Sequence, residues 1–280
     1  MKLGTLVRIT DPDQADACFA PVAAIGFTSC QLAYKPEHFT REAASKIRQS
    51  ADKHQIEISA HFCGYRDGRA VYDLKYGFCV NGLIPAAYRA QRLDYLLQGV
   101  VFGRWLGIED MIIHAGPIPN NPFSADYPDL VAAMRQLSSH AKKQGVNILL
   151  ETGAESPVTL LRLITEVGTG NVYVNLDTGN ALMYGYANPV DALYTYGSYV
   201  RNIHGKDGLP PTDPYTLGQE TALGQGEVDF PRLIQRLRSL QYDRFITIER
   251  EISGEEQKRD ILQAKIFLSR LLEENGFSIN

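Results

Sequence analysis

Eight short runs of apolar, β-branched and aromatic residues punctuate the chain: LGTLVR (3–8), FTSCQLA (27–33), IEISAHF (56–62), DMIIHAG (110–116), NILLETG (147–153), VYVNLDTG (172–179), VRNIHGKD (200–207) and FITIERE (245–251). Each reads as a strand. Between them, REAASKIRQSADKHQ, YRAQRLDYLLQGVVFGRWLG, PDLVAAMRQLSSHAKKQG and FPRLIQRLRSLQY space their apolar residues as helices do, and several close on glycine. A strand and then a helix, repeated eight times with no glycine-rich dinucleotide fingerprint after the first strand, predicts a closed (β/α)8 TIM barrel rather than an open doubly wound sheet. No linker or low-complexity tract interrupts the pattern, so residues 1–280 are read as a single domain. Two connections are long, 63–84 and 208–229, and in such a barrel both fall at the C-terminal face where active sites form.

The strand VYVNLDTG ends on a carboxylate, Asp177, although its pattern is that of a fully buried strand. An ionised carboxylate out of water needs a partner, a metal or hydration. Taken alone, such a residue is an ordinary cap or ion-pair member. Three neighbouring strands repeat the feature, with Glu151 closing the fifth, His204 the seventh and Glu249 the eighth. Four ligand-type side chains at one mouth, three of them oxygen donors, suit one divalent ion. Mn2+ is the first choice, with Co2+, Mg2+ or Zn2+ as alternatives, ahead of copper or an iron–sulfur cluster.

Composition narrows the partners. A formal net charge of −4 and an isoelectric point near 5.9 give no general footprint for nucleic acid or an anionic membrane surface. No apolar run approaches the roughly 18 to 20 residues of a membrane span, and the opening MKLGTLVRITDPDQ lacks a secretory signal, so the expected location is cytoplasmic. Cys18, Cys30, Cys63 and Cys79 form no C-x-x-C pair and are read as reduced structural residues. The sequence leaves a homo-oligomer open.

The motifs LLETG, NLDTGN, IHGKDG, LGQGEVDFPRLI and YDRFITIERE, in that order, resemble the xylose isomerase-like TIM-barrel superfamily. That is the sugar phosphate isomerase/epimerase group, which includes ketose 3-epimerases, inosose dehydratases and endonuclease IV. The resemblance implies that Glu151, Asp177, His204 and Glu249 bind the metal. It also implies that Glu151 and Glu249 move protons on opposite faces of a sugar substrate, through an enediolate, in carbohydrate metabolism. The implied activity is a metal-dependent isomerase or epimerase. A lyase or dehydratase working by β-elimination on keto-sugars or 3-keto-glycosides is the alternative, and a non-catalytic sugar-binding barrel the distant one. Asn180 stands where endonuclease IV has a further metal-binding histidine, and residues 208–229 lack its Asp-x-His pair, which argues against DNA repair.

Further candidates surround this set. Lys206 shares a strand face with His204 and could bind a developing oxyanion or pair with Asp207 or another carboxylate; Glu251 shares a face with Glu249. His114 and His61, at the ends of the fourth and third strands, are read as substrate contacts, His114 also as a proton carrier. Glu155 could meet a sugar hydroxyl. The 63–84 connection is rich in Tyr65, Tyr72, Tyr76 and Phe78, which would form a lid or a local core, with Tyr65 taken as a substrate contact. Residues 208–229 contain no Lys or Arg, which favours a neutral small-molecule sugar over a phosphorylated one, with Arg66, Arg69 and Lys75 as the counterweight.

Overall fold

Every one of the eight strand-type runs folds as a barrel strand. The computed structural model describes residues 1–67, 71–73 and 78–279. The barrel strands are β1 (Lys2–Ile9), β2 (Ser29–Tyr34), β3 (Glu57–Phe62), β6 (Asp110–Ile113), β7 (Asn147–Glu151), β8 (Val172–Asp177), β9 (Val200–Gly205) and β12 (Phe245–Ile248). They close in the order β1-β12-β9-β8-β7-β6-β3-β2, all parallel. Two short antiparallel hairpins lie outside the barrel: β4 (Val71–Asp73) with β5 (Phe78–Val80), and β10 (Asp207–Leu209) with β11 (Gln219–Thr221). These occupy the two long connections. Arg69, Lys75 and Tyr76 fall outside the described residues, as do the side chains of Tyr72 and Phe78.

The helices are α1 (Ala15–Ala24), α2 (Arg41–Lys53), α3 (Ala86–Leu106), α4 (Asp126–Lys143), α5 (Pro157–Val167), α6 (Thr178–Met183), α7 (Pro189–Tyr196), α8 (Phe230–Ser239) and α9 (Glu255–Glu274). Their ends follow local chemistry. Thr40 and Asp229 accept the backbone N–H groups of Ala43 and Arg232 at the starts of α2 and α8, and Gly107, in the left-handed region, ends α3. The strand after Val172 departs from simple alternation, because α6 and α7 both precede β9. Among the described residues, no helix is long and apolar enough to cross a membrane.

Burial of Leu32, Leu150, Val174, Leu176 and Ile203 on the outer sheet face, against helix residues such as Ile47, Leu96, Leu137 and Leu163, makes the main core. The barrel interior is different. A small apolar cluster of Ala60, Ile112 and Leu149 sits there with Phe62 and Tyr173, but Gln31, Ser59, Asn175, Asn202 and Thr247 are buried too. Barrels are ordinarily filled by branched apolar side chains, so this polar interior needs a reason. Cys30 and Cys63 are buried free thiols and Cys18 a half-buried one; burial pushes the Cys63 thiol up to about 12.

Candidate metal centre and its mouth

Register brings the four candidate ligands together. Asp177 pairs with His204 across β8 and β9, and Thr247 pairs with the same His204 across β9 and β12, so Glu249, two residues on, stands level with Lys206. Asp177 also caps α6: its Oδ1 accepts the Asn180 N–H at 2.7 Å. Its Oδ2 is buried without a hydrogen-bond donor. Glu151 Oε1 accepts from Asn180 Nδ2 at 3.4 Å, and Glu151 Oε2 has no partner. His204 Nδ1 also lacks a hydrogen bond, and it lies 3.1 Å from Glu249 Oε2, 3.4 Å from Asp177 Oδ2 and 3.5 Å from Glu151 Oε1. One atom from each of the four falls within 4.8 Å of the others.

Burying three carboxylates side by side is costly unless something positive lies among them. The orphaned Asp177 Oδ2 and His204 Nδ1 face one another, Glu151 Oε1 and Glu249 Oε2 approach the same nitrogen, and the four residues form an oxygen-rich donor set with one nitrogen. These residues fit one divalent ion.

The protein's own cations also face these carboxylates. Burial disfavours charge on His204, but the Glu249 and Glu151 carboxylates outweigh it and hold the imidazolium well above its ordinary range. Lys206 behaves alike: burial opposes its charge, and Asp177, Glu249 and Glu251 overcome that. Its Nζ lies 3.7 Å from Asp177, 3.4 Å from Glu249 and 3.1 Å from half-exposed Glu251. Glu249 is pulled up by burial but driven well below the usual carboxylate range by His204 and Lys206. Lys206 therefore does share the inner face with His204. Asp207 is not its partner; that carboxylate accepts the backbone N–H groups of Gly208, Gly224, Gly226 and Val228.

Above the four ligands opens a cavity of about 270 Å³, lined by Arg8, Phe62, Asn81, His114, Asn180 and Tyr184 together with Glu151, Glu249 and Glu251. His114 stands there edge-on to Phe62, with ring centroids 5.4 Å apart. Glu155 is buried in a small adjoining recess shared with Glu151, His114 and Asn180, where it accepts the Gly153 N–H at 3.1 Å. Burial, with Glu151 nearby, raises its carboxyl to about 8. A larger cavity of about 500 Å³ lies at the opposite pole, around the starts of β3, β6 and β12. There Asp110 is already satisfied by Arg201 and Asn147, and among the described residues no comparable ligand group converges there.

Two expected contacts are corrected. His61 does not reach the mouth. Strand alternation turns it to the outer face of β3, between Phe39 and Phe102, with Nε2 on the Tyr34 carbonyl at 3.0 Å, while Phe62 takes the inner position. Tyr65 is buried, donates its hydroxyl to the His114 carbonyl and stacks under Arg92, so it braces His114 from behind and is not among the residues lining the cavity.

The sequence reading missed Gln31, Asn175, Arg8 and Phe62. A signal for some of them was present. Asn175, Asn202 and Thr247 each stand two residues before Asp177, His204 and Glu249, on the same inward face, and Gln31 interrupts an apolar strand. Polar residues at such spacing mark an interior built to support ligands.

The chain is 31% identical to a xylose isomerase domain protein from Planctomyces limnophilus of solved structure, covering 98% of each chain with a TM-score of 0.90. A D-tagatose 3-epimerase-like protein shares 19% identity over 98% of this chain and 97% of its own, with a TM-score of 0.72. The probable 3-DHS dehydratase AsbF from Bacillus anthracis shares 16% over 95% and 98%, with a TM-score of 0.68. These last two likenesses establish a shared fold, one that carries both an epimerase-like protein and a dehydratase. With residues 19–271 matched by the family model for the xylose isomerase-like TIM barrel, the chain belongs to that family.

Proposed function

We propose that this protein is a divalent-metal-dependent isomerase or epimerase of a neutral keto-sugar. The observation that carries the reading is the convergence of Glu151, Asp177, His204 and Glu249, with Asp177 Oδ2 and His204 Nδ1 left without hydrogen bonds, beneath an open mouth. A divalent ion in that centre would supply Lewis-acid stabilisation of negative charge developing on substrate oxygens.

The chain's own residues account for the proton movements. Glu151 and Glu249 stand at the two ends of the arc β7-β8-β9-β12, with Asp177 and His204 between them. From those ends the two carboxylates can address a substrate from two sides, one taking the proton beside the carbonyl and the other returning it. Glu151 Oε2 has no hydrogen bond to break first. Phe62 and Tyr184 give the mouth aromatic surface against which sugar C–H groups pack. Charge supports a neutral substrate. Glu151, Asp177, Glu249 and Glu251 face Lys206 and Arg8, which leaves two negative charges that one divalent ion cancels.

Elimination is the second reading, favoured by Glu155. A carboxyl raised to about 8 is protonated at neutral pH and could donate to a departing hydroxyl, as could His114. Proton NMR of the Mn2+-loaded protein with ketoses and 3-keto-glycosides in D2O tests both readings. Deuterium entering beside the carbonyl, abolished in Glu151→Gln and Glu249→Gln, is expected, and the product separates epimer from eliminated product. Full exchange in both variants would refute the assigned proton carriers.

A further inference from the structure

The polar interior beneath the metal centre has an organised part. His204 is fully buried and presents Nε2 to Gln31 Oε1 at 2.6 Å. Gln31, itself fully buried, sits on β2, across the barrel from β9, where the β2–β3 register shifts between Cys30 and Gln31. Gln31 Nε2 donates in turn to Asn175 Oδ1 at 3.3 Å. With its amide nitrogen occupied there, Gln31 offers the imidazole its carbonyl and not its NH2 group. Phe62 stacks along the ring at 6.1 Å and 23°, which limits rotation of the imidazole.

We infer that Gln31 is a positioning residue for the metal centre: its carbonyl holds the Nε2–H of His204 and so keeps the Nδ1 lone pair directed at the point where the three carboxylates meet. The inference rests on the metal-centre reading above. A ligating imidazole needs its second nitrogen protonated and held, because an acceptor there fixes both the tautomer and the ring angle. If Gln31 presented its NH2 group instead, Nε2 would be the acceptor and Nδ1 would carry the hydrogen toward the ligand point. Asn175 completes the device by claiming the amide nitrogen. The competing explanation is that Gln31 merely satisfies the buried imidazole, and in that case its loss would lower stability without weakening metal binding.

A double-mutant cycle on metal affinity separates the two. Mn2+ binding is titrated by the electron paramagnetic resonance of the free ion, with metal-free circular dichroism as the folding control, for wild type, Gln31→Leu, His204→Ala and the double variant. Losing a hydrogen-bond partner of a ligand typically costs about 10- to 100-fold in affinity. Gln31→Leu is expected to weaken Mn2+ binding by that factor, and to add nothing in the His204→Ala background. Gln31→Glu keeps an acceptor of the same shape, so it is expected to bind no more weakly than wild type, and it can be read even if Gln31→Leu fails to fold. Weakening by His204→Ala but not by Gln31→Leu, an equal loss from Gln31→Leu in both backgrounds, or weaker binding by Gln31→Glu would each overturn the role of Gln31. Unchanged binding in His204→Ala would instead overturn the metal-centre reading itself.

Discussion

At a strand end, one position separates a side chain in the mouth from one sealed in the core, and His61 beside Phe62 shows the difference. The His61 ring lies between Phe39 and Phe102, and burial lowers its pKa from 6.5 to about 4. The unfolded chain takes up a proton there below about 6.5, whereas the folded chain resists until about 4. The contribution of this group to stability is therefore complete above pH 6.5. It declines by roughly 1.4 kcal/mol per pH unit as the solution is acidified toward 4, about 3 kcal/mol in all. His61→Gln keeps a donor for the Tyr34 carbonyl but cannot titrate. Urea midpoints measured from pH 7 to pH 4.5 should fall less steeply for this variant than for wild type; parallel slopes would show that His61 is not held neutral.

Among the elements, the barrel strands were legible because each is a contiguous apolar run whose period is local. The grouping of Glu151, Asp177, His204 and Glu249 was legible because each terminates such a run. What lay beyond reach was set by contacts distant in sequence. Gln31 meets His204 from 173 residues away, and no pattern within β2 identifies that partner. The segment after the β10–β11 hairpin is likewise anchored by a single carboxylate. Asp207 Oδ1 and Oδ2 collect the N–H groups of Gly208, Gly224, Gly226 and Val228 at 2.9 to 3.1 Å and fold the segment after β11 back onto the strand. Gly226 is required there, since a Cβ would lie 2.3 Å from Asp207 Oδ1. Asp207→Ala would strand several shielded donors, at about 1 kcal/mol or more each, so a loss of ~3 kcal/mol or more is expected in chemical denaturation. The exposed Asp213, which caps only the Tyr215 N–H, serves as the control, and Asp213→Ala should change stability by no more than about 0.5 kcal/mol. Equal effects at the two positions would show that the Asp207 network does not hold the hairpin.

For the molecule as a whole, the candidate metal centre is a concentrated charge imbalance inside a fold that is otherwise only mildly acidic. A ligand that binds the folded chain alone stabilises it by about 2.7 kcal/mol at a free concentration one hundred times its dissociation constant. In a protein of this size that raises the melting temperature by roughly 5 °C. Mn2+ should produce such a shift and EDTA should reverse it. Asp177→Asn makes the test sharper, because Asp177 has two separable duties. Its Oδ1 caps α6 on the Asn180 N–H, which an asparagine performs as well, while Oδ2 lacks a hydrogen-bond donor and faces His204 among the other carboxylates. The variant is therefore expected to fold, and to melt in the absence of metal at least as high as wild type, since a buried like-charge cluster has been relieved. It should also lose most of the Mn2+-dependent rise. If the variant kept the full rise, Asp177 would be a helix cap and nothing more. If wild type showed no rise with Mn2+, Co2+, Mg2+ or Zn2+, the three carboxylates would have to be balanced by Lys206 and His204 alone.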